Sequence, residues 1–293
     1  MKTVLLAAVL VIALIAAVVY RLDRQQINII DADVPQDFPV DGFSHQLLED
    51  LLKVYVNTEG EVDYDAWKES SDANGQLNSY LAAVGLYSPE NSPERFKTRN
   101  DALAYWLYAY NAYVIRGVLD HWPLESVTDI KAPVEVVKGF GFFYRQLYMY
   151  GGQHYSLLAV ENQKIRATYK DARIHFVLNC ASESCPVLRP ELPTGDALES
   201  LLQQATLDFV NDDNNVHVDH ESKTIHLSTI FKWFKKDFVS ELRKRGLPTE
   251  RGAVAYVESV AGPDKRDELL SATDYDVEYI DYDWSLNRND SRL

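Results

Sequence analysis

Apolar side chains recur along this chain with two different periods, and the periods divide it into helices and strands. In "GFSHQLLEDLLKVYV" the residues Phe43, Leu47, Leu48, Leu51, Leu52 and Tyr55 recur at helical spacing, and "YLAAVGLY" ends a second, weaker helical stretch. "RNDALAYWLYAYNAYVIRGVLDHWP" is apolar around most of its circumference and stops at Pro123, the pattern of a buried central helix. "YRQLYMYGGQHYSL" alternates aromatic and polar positions on both sides of Gly151-Gly152, which predicts a β-hairpin with the glycines supplying positive φ and a helix restarting at Ser156. "IHFVLN" reads as a short apolar strand. "GDALESLLQQATLDFVND" reads as an amphipathic helix bounded by Gly195 and an Asn/Asp-rich turn. A second hairpin-like pair surrounds "DHESK". "TIHLS" then hands over to a helix capped by Ser228, with Ile230, Phe234 and Phe238 on one face. The last regular helix is expected over 249 to 261, ahead of an acidic tail.

One stretch has no period at all. "VLLAAVLVIALIAAVVY", residues 4 to 20, is uninterrupted by charge and is followed by Arg21 and Arg24. At about 1.5 Å per residue it spans roughly 25 Å, near the lower limit for a membrane helix and slightly long for a signal-peptide core. No clean A-x-A cleavage site follows, so residues 1–24 are expected to be an uncleaved signal anchor in preference to a cleaved signal peptide. Either route exports the remainder to the periplasmic or extracellular side. Residues 25–41, polar and punctuated by Pro35 and Pro39, read as a tether. With no internal repeat, residues 42–293 are expected to form one mixed α+β domain, its helices packed on a small, largely antiparallel sheet.

Composition changes this picture little: 46% hydrophobic and 25% charged residues are ordinary for a folded domain. The formal net charge of -15 does exclude something, because long-range attraction to nucleic acid or anionic lipid is disfavoured. The membrane is then a partner through the N-terminal run alone, with a small molecule or peptide as the expected kind of substrate. Lys232, Lys235 and Lys236 form a cationic patch too small for nucleic acid, suited instead to the acidic tail.

"YWLYAYNAYVIRGVLDHWP", "DARIHFVLNCASESCPVL" and "LSTIFKWFKKDF", in that order and closing on "YDWSLN", resemble the DUF547 family over roughly residues 95 to 287. The H-x4-C-x4-C-P block is the most specific part. The resemblance implies that Trp106, Tyr110, Asn111, Glu161, the His175/Cys180/Cys185/Pro186 block and Lys232-Trp233 belong to a shared core, and it implies no reaction. Many members look as though they carry Glu-His where this chain has Glu161-Asn162, so no histidine acts there.

Three readings of the cysteine block stay open. Cys180 and Cys185 would close a short disulfide loop in an oxidising compartment. The resemblance weighs against a purely structural bond, since the family looks as though it has intracellular plant members too. Alternatively, a cysteine is a thiolate nucleophile activated by His175 and oriented through Glu161 or Asn111, with backbone N–H groups of the "ASES" turn as an oxyanion site. The third reading is a C-x4-C metal pair completed by His175 or His154, and it lacks the second cysteine pair a structural zinc site wants. No cofactor is expected. The working expectation is a thiol-dependent hydrolase or acyltransferase of the cell envelope. Its catalytic candidates are Cys180, His175, Glu161, Cys185 and Asn111, and its binding candidates are Trp106, Tyr110, Asn179, Arg189 and Trp233. The alternative is a non-enzymatic interaction module with a structural disulfide. Bland roles compete at each position: a buried hydrogen bond for Asn111, an ion pair with Arg166 or Arg173 for Glu161, and core packing for the aromatics.

Overall fold

A computed structural model of the protein describes residues 24–134 and 137–289. The apolar run 4–20, and with it the expected signal anchor, lies outside them. Among the described residues no helix is long and apolar enough to cross a membrane.

The central helix forms as its pattern predicts, over Arg99–Asp120. A capping box starts it: Thr98 Oγ1 accepts from the Asp101 N–H at 3.0 Å, and the Asp101 carboxylate accepts from the Thr98 N–H at 2.9 Å. Every residue from Leu103 to Leu119 is buried. Three of its four tyrosines explain how so aromatic a helix is tolerated there, because their hydroxyls find backbone carbonyls. Tyr105 donates to Val84 O at 2.9 Å, Tyr108 to Pro193 O at 2.6 Å and Tyr113 to Met149 O at 2.6 Å. The helix is thereby tied to three different segments.

Around it, in chain order, lie α1 (Gln46–Tyr55), α2 (Tyr64–Glu69), α3 (Ser71–Leu86), the central helix as α4, α5 (Ala197–Asn211), α6 (Thr229–Trp233), α7 (Lys235–Lys244), α8 (Ala253–Val260) and α9 (Pro263–Ser271). The strands are β1 (Gln26–Ile27), β2 (Gln146–Tyr150), β3 (Gln153–Ser156), β4 (Val216–Asp219), β5 (Thr224–Ser228) and β6 (Asp276–Ile280). Both hairpins are present. Gly151 and Gly152 supply φ of +53° and +78° between β2 and β3, and Met149 faces His154 across the pair.

The fold is α+β, and several finer expectations are corrected. There are two three-stranded sheets, ordered β1-β2-β3 and β4-β5-β6, and each middle strand has one parallel and one antiparallel neighbour. The parallel partners come from segments read as non-structural. β1 lies in the expected tether, and β6 in the acidic tail, where alternating carboxylates occupy the exposed side of an edge strand. "IHFVLN" is no strand: Ala172–Phe176 is a 3-10 turn capped by Asp171, whose carboxylate accepts from the Arg173 N–H at 3.0 Å. A short apolar run buried on all sides carries no period to separate the two states. The helix after Ser228 breaks at Phe234 into α6 and α7, and α9 follows the helix expected to be last.

Candidate functional site

Two asparagines hold the cysteine block. From α4, Asn111 donates through Nδ2 to Val177 O at 3.0 Å and accepts through Oδ1 from the Asn179 N–H at 2.9 Å. Asn179 repeats the device one turn on, accepting from the Ala181 N–H at 2.8 Å and donating to Pro186 O at 2.9 Å. Between them they satisfy four backbone groups in a segment with no regular secondary structure, and Ala181 is held at φ +60°. Asn111→Ala is therefore expected to strand a buried carbonyl and a buried N–H, lowering unfolding stability by about 3 kcal/mol in a urea titration. A loss under about 0.5 kcal/mol would mean that water replaces the amide.

The loop closes on itself through a Cys180–Cys185 disulfide, with Cα atoms 6.2 Å apart. The Cys180 N–H donates to Cys185 Sγ at 2.9 Å, and the Tyr282 hydroxyl reaches both sulfurs, 2.9 Å from Cys180 and 3.2 Å from Cys185. Ser182 Oγ completes a triangle, 3.1 Å from Cys180 Sγ and 2.8 Å from Tyr282. The partners of the loop come from the end of the chain: Ser285 O accepts from the Glu183 N–H at 2.9 Å, and Asp283 O from the Ser184 N–H at 3.3 Å.

Both sulfurs form part of the wall of a cleft of about 560 Å³, whose other walls include Phe140, Phe143, Leu158, Ile230 and Trp233. Opposite charge is scarce in it. Glu161 lies on the cleft wall near the start of a π-helical turn, Val160–Arg166, a rare geometry that is frequent at functional sites. Its carboxylate makes no hydrogen bond or ion pair among the described residues. Burial pushes its pKa up to about 7, the charge of Arg166 opposing and that of Asp237 adding to the shift.

His175 also lines the cleft but is bonded elsewhere. Its Nε2 is 2.9 Å from Asp237 Oδ2, and its ring stacks on Phe234 with centroids 3.8 Å apart. Burial lowers its pKa against the pull of Asp237, so the neutral ring donates Nε2–H to the carboxylate. Asp237 is partly buried, yet bonds from His175 and from Arg166 at 2.7 Å hold it ionised well below the usual carboxylate range. No hydrogen bond joins the imidazole to either sulfur among the described residues.

The structure thus brings Cys180, Cys185, Glu161, His175, Asn179, Tyr110 and Trp233 to one cleft. It leaves three candidates out of it. Asn111 acts from behind the loop, Trp106 is buried in core packing against Tyr105 and Tyr150, and Arg189 is paired with Asp208 at 2.6 Å beside a separate small cavity. Glu161 pairs with neither expected arginine, because Arg166 binds Asp237 and Arg173 binds Asp171 and Glu199. Of the four N–H groups of the "ASES" turn, those of Ala181, Glu183 and Ser184 are already donated within the fold, and among the described residues the Ser182 N–H makes no hydrogen bond. The cationic patch meets the tail through a ring, Lys232 standing 5.5 Å over Tyr279. His154 sits on β3, and among the described residues no group of three or more His, Cys, Asp or Glu is arranged to hold a metal. Sequence reasoning missed Asp237, Tyr282 and Trp284. The signal for them was "FKKDF" and "YDWSLN", both quoted for the resemblance and neither searched for site residues.

Fold and site together define a helix-rich α+β protein with a disulfide in the wall of an apolar cleft. Residues 93–210 match the model of a family described as "Protein of unknown function, DUF547". The match takes in Asn111, Glu161 and the whole cysteine block, and ends before Asp237 and Tyr282. No curated protein and no solved structure matches the chain.

Proposed function

We propose that the protein is a thiol-dependent acyl-transfer enzyme, a hydrolase or acyltransferase acting on an amide or ester, with the Cys180–Cys185 disulfide as its resting form. The observation that carries the reading is the convergence of both sulfurs and the unpartnered Glu161 carboxylate on one apolar cleft. After reduction, Cys185 is the better nucleophile, because a fixed backbone donor, the Cys180 N–H, points at its sulfur and favours the thiolate. Glu161, near pH 7, takes the thiol proton that His175, held by Asp237, is not aimed to take. The hydroxyls of Tyr282 and Tyr110 act as donors to a developing oxyanion, their pKa values raised by burial so that both stay protonated. The N-terminal apolar run is proposed to anchor this domain to the membrane, with the domain on the exported side.

An activated ester tests the chemistry. The oxidised protein is expected to be inert, and protein treated with a phosphine reductant to release a stoichiometric burst followed by turnover, both lost after iodoacetamide. A Cys180→Ala/Cys185→Ala double variant that kept full activity would remove the reading. The second reading, a non-enzymatic envelope module with a structural disulfide, draws on the hydrogen bonds that the Ala181, Glu183 and Ser184 amides of the loop already make. It expects no activity in either redox state and a fall in stability on reduction.

A further inference from the structure

We infer that the cleft takes a neutral amphiphile, an amide or ester head at Glu161 and the sulfurs with a hydrocarbon tail laid along the aromatic wall. The inference rests on the reading above for the head group and adds the class of substrate. Of the twenty described residues lining the cleft, only Lys138 and Glu161 carry a formal charge once His175 is neutral. A sugar or charged peptide would leave most of its polar groups unpaired against such walls. A carboxylate head would meet Glu161, ionised above about pH 7, whereas an amide N–H or a hydroxyl donates to it.

The apolar lining also continues outward. Val137 is 61% exposed, Trp233 48% and Leu158 37%, and all three belong to the cleft, so its apolar wall runs onto the surface. Closed pockets for compact ligands bury their apolar walls; a wall that extends to solvent suits a ligand longer than the cavity. The chain's N-terminal end supplies the independent argument. Gln25 Nε2 donates to Tyr144 O at 2.9 Å and Gln26 N to Arg145 O at 2.7 Å, and Tyr144 lines the cleft. The five steps from Tyr20 to Gln25 span at most about 18 Å, so the sequence joins its longest apolar run to the wall of the cleft. A membrane held at that run would present amphiphiles at the same opening.

N-alkanoyl ethanolamines of increasing tail length, titrated by calorimetry into the oxidised full chain below their aggregation limit, test this without any thiol chemistry. The dissociation constant is expected to fall about fourfold per added methylene until the cleft is filled. Leu158→Glu and Val137→Glu are each expected to weaken the longest member at least tenfold. Val54→Glu, a more exposed apolar position on α1 outside the cleft, is expected to leave it unchanged. Affinity independent of tail length, or equal loss in the Val54→Glu control, overturns the inference. Tail-dependent binding without reductant-activated turnover keeps this ligand class and removes the thiol chemistry. Turnover of a short ester without tail dependence removes the ligand class alone.

Discussion

Glu161→Gln is expected to make the protein more stable at pH 8 and inactive at the same time. The carboxyl titrates near 4.5 in an unfolded chain and at about 7 in the cleft. Below pH 4.5 it is protonated in both states and contributes no difference. As pH rises from 4.5 to 7 the unfolded chain releases the proton while the folded one retains it, so stability falls across that window and stays reduced above it. The cost above pH 7 is about 3 kcal/mol, less where water reaches the cleft. Glutamine keeps the shape and removes the ionisation. The variant should match the parent in urea unfolding at pH 4.5 and exceed it at pH 8, by about 5 to 10 °C in Tm for a domain of this size. Turnover should drop by about 10² to 10⁴, the usual contribution of a general base. Equal stability of parent and variant at both pH values would sink the assignment of a desolvated carboxyl. A large gain in stability with unchanged turnover would sink its catalytic role.

The two cysteines should behave oppositely when replaced singly. Cys185→Ser removes the sulfur that the fixed N–H of Cys180 addresses and is expected to abolish turnover, about 10³-fold or more, in either redox state. Cys180→Ser keeps that sulfur and its donor, since the donor is backbone, and deletes only the partner that caps it. This variant should therefore be active without any reductant and should react with iodoacetamide well below pH 8 at Cys185. The assay is ester turnover and mass-mapped alkylation, each with and without phosphine. If Cys185→Ser retains activity while Cys180→Ser loses it, the roles of the sulfurs are exchanged. If both remain inert after reduction, the disulfide is structural.

The parts legible in the sequence were those with a period or a punctuating residue. Gly151-Gly152 marked a hairpin, Ser228 a cap, and the aromatic run after Thr98 a buried helix, because each rests on local backbone chemistry. What escaped was set by partners distant in the chain. "IHFVLN" has the composition of a strand but no strand lies beside it, and Phe176 packs instead on Phe209 and Phe238. β1 and β6 are short and polar, and only a parallel neighbour more than a hundred or about fifty positions away, respectively, makes them strands. The site divides in the same way. Cysteines, histidine and glutamate are noticeable by type, whereas the pairing of His175 with Asp237 spans 62 residues and leaves no local trace. Glu161 was noticed for its expected ion pairs. Among the described residues it has none.

The C-terminal stretch has a consequence for when the molecule becomes competent. Tyr282 bonds the sulfurs, Asp283 and Ser285 hold the loop amides, and Asn287 joins the same loop to Val62 near the other end of the domain. These residues are made after the cysteine block that they hold. A nascent chain that has already made the cysteine block, Glu161 and most of the cleft still lacks the segment that fixes the loop. The cleft wall around the disulfide is therefore complete only once residues 282–287 have been added, however early the cysteines themselves emerge.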